Sequence, residues 1–258
     1  MAVEVAEETV EVAGLPVHLR RSGDVPILYL HGVPTHSADW LPFLERYGGI
    51  APDLPGYGRS AKPGDFDYSI GGYDRFLEAF VDALGLDRFA LVVHDWGAVG
   101  LAPAQRFPER IERIVMFPVV PFVPGYRWHR LARGWRTPLL GELLMGFATR
   151  AAFRRGLPTA IADAAWERFD HGTQRAILRL YRSAPPDVLA RAGERLGAIR
   201  APALILWSTD DPYLPAKFAE SHAAALGGEA TVELVPGGHW PWLERPGLVE
   251  RAGDFVVT

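Results

Sequence analysis

The sequence predicts an α/β protein, a mostly parallel, doubly wound sheet carrying a helical insertion. Three observations predict it. Short apolar runs alternate with segments of helical periodicity. Most of those runs are apolar throughout, which suits strands buried on both faces. One segment, about 119–195, breaks the alternation and contains no strand-like run.

The elements follow in order. ETVEVAGLPVHLRRSG, from residue 8, alternates apolar and polar residues around Gly14-Leu15-Pro16 and predicts an edge hairpin. VPILYLHG (25–32) predicts a buried strand and Ala38 to Tyr47 a helix. GGIAPDLPGYGRS gives a short strand and a glycine-rich turn. Tyr73 to Leu84 has helical spacing, FALVVHDW (89–96) is a strand, and Gly97 to Phe107 a helix. IERIVMF (111–117), ALILW (203–207) and TVELV (231–235) are the remaining strands, with helices over Ala216 to Leu226 and from about Pro246. This order implies helices on both faces of the sheet. The interrupting segment opens PVVPFVPGYRWHRLARGWRTPLLGELLM and reads as a helical cap. The expected division is core 1–118, cap 119–195 and core 196–258. Ligands of open α/β sheets bind beyond the carboxyl ends of the strands, so the cap would roof that pocket.

Composition excludes several classes. A net charge of −4 lacks the basic surface that nucleic-acid binding needs. There is no cysteine, so disulfides and thiolate chemistry are absent. The histidines stand singly rather than at ligand spacing, and no metal site or cofactor is expected. MAVEVAEETVEV has no basic n-region or apolar h-region, and no run approaches the ~18 residues of a membrane span. The expectation is a soluble cytoplasmic protein with no membrane or nucleic-acid partner; its oligomeric state is open. The arginines at 127, 130, 133 and 136 read as one solvated helical face.

Three strand ends carry the chemistry. VVHDWGAVG (92–100) is a strand, a turn and a small-residue helix, the elbow geometry written G-x-S-x-G. Here valine replaces the first glycine and Asp95 stands at the nucleophile position. Asp210-Asp211-Pro212 follows ALILW, and His239 follows TVELV. Nucleophile, acid and base thus occur in chain order, each at a strand end. Alone, Asp95 is most simply a helix N-cap; with the other two pieces it reads as the nucleophile. Asp211 is chosen over Asp210 because the D-P-x-x-P turn follows it. His94 and His31 read as structural, and Trp240 and Trp242 as packing.

Over essentially its whole length the chain resembles the α/β-hydrolase fold. HGVPTHSADW (31–40), APDLPGYGRSAKP (51–63), FDYSIGGYDRFLEAFVDALGL (66–86) and LVVHDWGAVG (91–100) resemble haloalkane dehalogenases; WRTPLLGELLM (135–145) is similar to their cap. Epoxide hydrolases share the H-D-W-G elbow and the H-G-x-P loop. Two departures stand out. Val33 replaces the asparagine with which many dehalogenases grip halide, and MFPVV has no acid after its strand. The resemblance then implies a cap tryptophan as second halide donor, with Trp128, Trp135 and Trp166 as candidates. For epoxides it implies tyrosine acids, Tyr181 and Tyr126.

An aspartate is ionised at neutral pH and needs no activation. Attack on a carbonyl would give a labile anhydride. Attack on an sp³ carbon gives an alkyl ester. His239, oriented by Asp211, would activate the water that hydrolyses it. Backbone N–H groups of Val33 and Trp96 would form the oxyanion hole, and the Trp96 indole would meet the leaving anion. The expected function is a cofactor-independent hydrolase acting on carbon–halide bonds, with small hydrophobic substrates. The alternatives are epoxide hydrolysis and a non-catalytic binding protein on this scaffold.

Overall fold

The computed structural model describes residues 4–258; the first three residues of the acidic N-terminal stretch lie outside them. Eight strands form one sheet: β1 (Ala6–Val12), β2 (Leu15–Ser22), β3 (Ile27–Leu30), β4 (Gly49–Pro52), β5 (Phe89–Asp95), β6 (Ile111–Val119), β7 (Ala203–Ser208) and β8 (Ala230–Val235). Their order is β1-β2-β4-β3-β5-β6-β7-β8. The β1–β2 hairpin and the β2–β4 pair are antiparallel; every other pair is parallel. The chain adds β4 on one side of β3 and β5 on the other, so the direction of winding reverses between β3 and β5. That switch point opens a crevice at the strand ends.

The runs are apolar throughout because alternate side chains enter two different cores. Leu28, Leu30, Leu91 and Val93 join one cluster with α2 (Ile70–Ala83) and α3 (Leu101–Arg106). Ile27, Tyr29, Ala90 and Val92 join the other. That face holds α1 (Leu41–Tyr47) and residues of the helices that close the chain, described below. Each fully buried aliphatic side chain stabilises by roughly 1.5–3 kcal/mol.

Between β6 and β7 the chain runs through six helices: α4 (Arg130–Arg136), α5 (Leu140–Gly146), α6 (Arg150–Gly156), α7 (Thr159–Glu167), α8 (His171–Ser183) and α9 (Pro186–Ala192). After β7 come α10 (Lys217–Ala225), α11 (Pro241–Glu244) and α12 (Gly247–Val257). Three helix starts differ from expectation, the first because Ser37–Trp40 is a 3₁₀ turn before α1. The Tyr73 helix begins at Ile70, where Ser69 Oγ accepts the Gly72 N–H at 3.1 Å as an N-cap. The segment expected as one helix from Gly97 starts as a 3₁₀ turn, Trp96–Gly100, before α3. The tighter turn suits a chain that reverses at once after the strand.

Candidate active site

Asp95 ends β5 with φ 50° and ψ −119°. A non-glycine residue there costs about 1–3 kcal/mol, held in place by its surroundings. Glycines make the elbow possible: a Cβ on Gly97 would lie 2.1 Å from the Leu30 carbonyl, and one on Gly32 2.4 Å from Asp95 Cβ. The carboxylate is buried and its oxygens differ. Oδ1 accepts the Val33 N–H at 2.8 Å. Oδ2 lies 3.6 Å from His239 Nε2. His239 Nδ1 meets Asp211 Oδ2 at 2.6 Å. Asp211 Oδ1 accepts the N–H groups of Tyr213 at 2.8 Å and Leu214 at 3.0 Å. Asp210 turns away, capping Thr209 and Gly237.

The charges follow from these contacts. Burial opposes ionising both aspartates, yet the His239 imidazole and backbone N–H groups outweigh it and hold both below the usual carboxylate range. Burial opposes charging His239 too. The charge and hydrogen bond of Asp211, then Asp95, reverse that and raise it to about 10. A base that sits between two carboxylates is thus charged while both are ionised; neutralising one of them loosens its hold on the proton.

The surrounding polar groups brace the two loops. His94 is fully buried and held neutral by burial, down to about 3, and its Nε2–H donates to the His239 carbonyl at 2.8 Å. His31 accepts the Leu54 N–H at 2.9 Å and donates from Nδ1 to the Gly32 carbonyl at 2.8 Å. Asp39 was missed from sequence. Its Oδ2 accepts Thr35 Oγ1–H at 2.5 Å and Trp240 Nε1–H at 3.2 Å, and its carbonyl accepts Trp242 Nε1–H at 3.2 Å. It ties the Val33 loop to the His239 segment, so the two tryptophans do more than pack. Its signal was a lone acid four residues after a threonine in an apolar helix start. Burial pushes Asp39 up to about 7.

A cavity of about 310 Å³ opens over Asp95 and His239. Its wall is mostly aromatic and aliphatic and includes Tyr126, Trp128, His129, Trp135 and Tyr181. The expected tryptophans part company here. Trp128 lines the cavity, but its Nε1–H is spent on the Ala184 carbonyl at 2.8 Å, so it is not a free donor. Trp166 does not reach the cavity; it packs on Phe153 and Phe169. Trp135 lines the wall edge-on to Tyr181 at 5.0 Å. Trp96 stacks on Trp128 at 5.5 Å and stands edge-on to Tyr181 at 5.2 Å. Its Nε1–H is buried facing the Tyr181 side chain without a well-formed hydrogen bond, and the ring is not among those lining the cavity. Tyr126 and Tyr181 both line the cavity, and burial raises both, keeping the phenols protonated. Arg136 leaves the expected solvated face: it donates to the Tyr181 and Ala184 carbonyls that α8 leaves open at its C-terminus.

A parallel sheet, a strained aspartate elbow and a histidine bound to a second acid define an α/β hydrolase whose elbow carries a carboxylate. Residues 27–252 match the alpha/beta hydrolase family, and the chain belongs to that family. It is 30% identical over 255 residues to a haloalkane dehalogenase of Mesorhizobium japonicum, spanning 88% of this chain and 82% of the relative. It is 28% identical over 261 residues to a cis-3-alkyl-4-alkyloxetan-2-one decarboxylase of Shewanella oneidensis, spanning 90% and 80%. The crystal structure of a haloalkane dehalogenase from Bradyrhizobium elkani superposes with a TM-score of 0.82 at 26% identity, covering 98% of each chain.

Proposed function

We propose that the chain is a cofactor-independent haloalkane dehalogenase working through an alkyl ester of Asp95. One observation carries this reading: a buried, ionised carboxylate with Oδ1 held by Val33 and Oδ2 left facing His239 under an apolar cavity. Asp95 Oδ2 attacks the sp³ carbon, and the carbon–halogen bond breaks with its electron pair leaving as halide. The Trp135 indole on the cavity wall and the Trp96 Nε1–H buried just behind it are the two donors for that anion. Forming the ester removes one of the two carboxylates that charge His239. The His239 proton passes to solvent as the halide leaves, and a neutral base remains. His239 then takes a proton from water, whose oxygen bonds to the Asp95 carboxyl carbon. The negative charge falls on Oδ1 against the Val33 N–H, joined by the Trp96 N–H. Collapse returns the proton to the leaving alkoxide, alcohol departs, and the water's second proton, left on Asp95, passes to His239 and restores the charged base. In this reading residues 119–195 act as a cap, the substrate is small and hydrophobic, and the setting is cytoplasmic.

Epoxide hydrolysis is the second reading, favoured by two protonated phenols on the wall: Tyr181, and Tyr126, whose O–H donates to the Tyr213 carbonyl at 3.4 Å and has to turn from it to reach a departing alkoxide.

Trapping separates them. His239→Phe is incubated with 1-bromoalkanes, epoxides and a β-lactone, the last prompted by the oxetanone-acting relative, and the intact protein is weighed. The expected adduct is the alkyl group without halogen, absent when Asp95→Asn is added. An adduct of full epoxide mass places the second reading first. No adduct from any haloalkane overturns the dehalogenase.

A further inference from the structure

The leaving-group candidates do not exhaust the donors on the cavity wall. His129 lines it beside Tyr213, ring centroids 4.9 Å apart, and Tyr213 stands edge-on to His239 at 5.2 Å. His129 is the N-cap of α4, its Nδ1 accepting the Ala132 N–H at 3.3 Å. A nitrogen that accepts there carries no proton, so the neutral ring carries it on Nε2. Burial holds the ring well below the usual histidine range, at about 4, so it is neutral near pH 7. The cap bond therefore fixes a single tautomer, and Nε2–H has no acceptor among the described residues.

The rest of the wall determines what that donor can meet. The lining holds no lysine or arginine. A substrate carboxylate would face Asp95 in a site where two carboxylates outnumber the single His239 charge. A plain alkyl chain would displace water from Nε2–H and leave it unpaired. A neutral molecule bearing an oxygen acceptor avoids both penalties.

We propose that the His129 Nε2–H faces the cavity and determines specificity, selecting neutral substrates that carry an ether, carbonyl or hydroxyl oxygen away from the reacting carbon. The inference takes the ester mechanism of Asp95 as its reaction, and deepens it by naming the substrate class.

The test uses 1-bromohexane and its isosteres, in which one methylene at a time becomes an ether oxygen. For the wild type, at least one isostere exceeds 1-bromohexane in kcat/KM by about three- to tenfold, expressed in KM. His129→Phe loses cap and donor together. His129→Ser keeps a capping oxygen but does not reach the cavity. Both variants abolish the preference, read within each variant as the ratio of isostere to 1-bromohexane in kcat/KM. His129→Gln, which restores an N–H of similar reach, recovers part of it. A wild type that prefers no isostere overturns the proposal, as does a preference that survives in His129→Phe or His129→Ser. Loss in His129→Phe alone, with His129→Ser unchanged, assigns the residue to capping only and also overturns it. Turnover of 1-bromohexane itself tests the dehalogenase reading separately. Should no bromide react, the same ranking is read from equilibrium binding of the matching ethers and alkanes without halogen, with the same outcomes deciding.

Discussion

The two walls of the cavity are held by different forces. On the sheet side, Asp95, His239, His94 and Asp39 are buried, and so is the side chain of Asp211. Each is fixed by hydrogen bonds to backbone or to another buried side chain. On the helical side, rings pack on rings, and α5 and its flanks leave large apolar groups in the open, with Leu139 83% and Phe147 75% exposed. A group bonded on several sides has one position. A ring held by contact alone has neighbours that can shift. The difference teaches that reaction geometry is built into the strand ends, while substrate choice is left to the adjustable helices.

The largest expected effect breaks the sheet side. Asp211→Asn removes the charge that orients and sustains His239, and turnover falls on the order of 10⁴-fold, as when the acid of a related triad is neutralised. Ester formation is affected far less, so an intact-mass scan during turnover finds the alkylated protein accumulating. Loss of both steps together would mean that Asp211 acts on the fold and not on the base.

Asp39 tests whether the bracing between loops is electrostatic. Its carboxyl is raised to about 7 in the folded protein, above the 3.8 it has when unfolded. A raised acid contributes stability that is present at low pH and lost as pH climbs through the folded value. Asp39→Asn imitates the protonated form. The variant should therefore gain on the wild type between about pH 4 and pH 7, by as much as about 4 kcal/mol. Denaturant unfolding at both ends of that window measures it. A stability difference that stays flat with pH would remove the buried titration.

The smallest effect sharpens the helical side. Trp135→Phe should lower turnover of bromoalkanes about tenfold by removing one donor to the departing anion. Trp166→Phe should change it less than about twofold, because that ring never reaches the cavity. Equal effects in steady-state kinetics would erase the distinction between them.

What the sequence revealed tracks the same division. That Asp95, Asp211 and His239 meet was legible because parallel strands bring their carboxyl ends to one edge, so chain order and strand position suffice. The fully apolar runs announced burial on both faces for the same reason. The three cap tryptophans were indistinguishable, because the fate of an indole N–H depends on which carbonyl it meets. Trp128 meets Ala184, 56 positions along the chain. Asp39 was overlooked because its partners, Trp240 and Trp242, lie 201 and 203 positions away. The early start of α2 was local and could have been read from Ser69, a serine placed before the first turn.

The Val33 N–H holds only one oxygen of Asp95. A carboxylate gripped on one side does not swivel, so its two oxygens have separate histories. On the ester reading, Oδ2 leaves inside every molecule of alcohol and is replaced from water, whereas Oδ1 is the atom installed when the chain was made. The enzyme is consumed and rebuilt by one atom per cycle, always at the same place. In isotopically heavy water it would take up a single labelled oxygen and never a second, keeping in its own side chain a record of which face did the work.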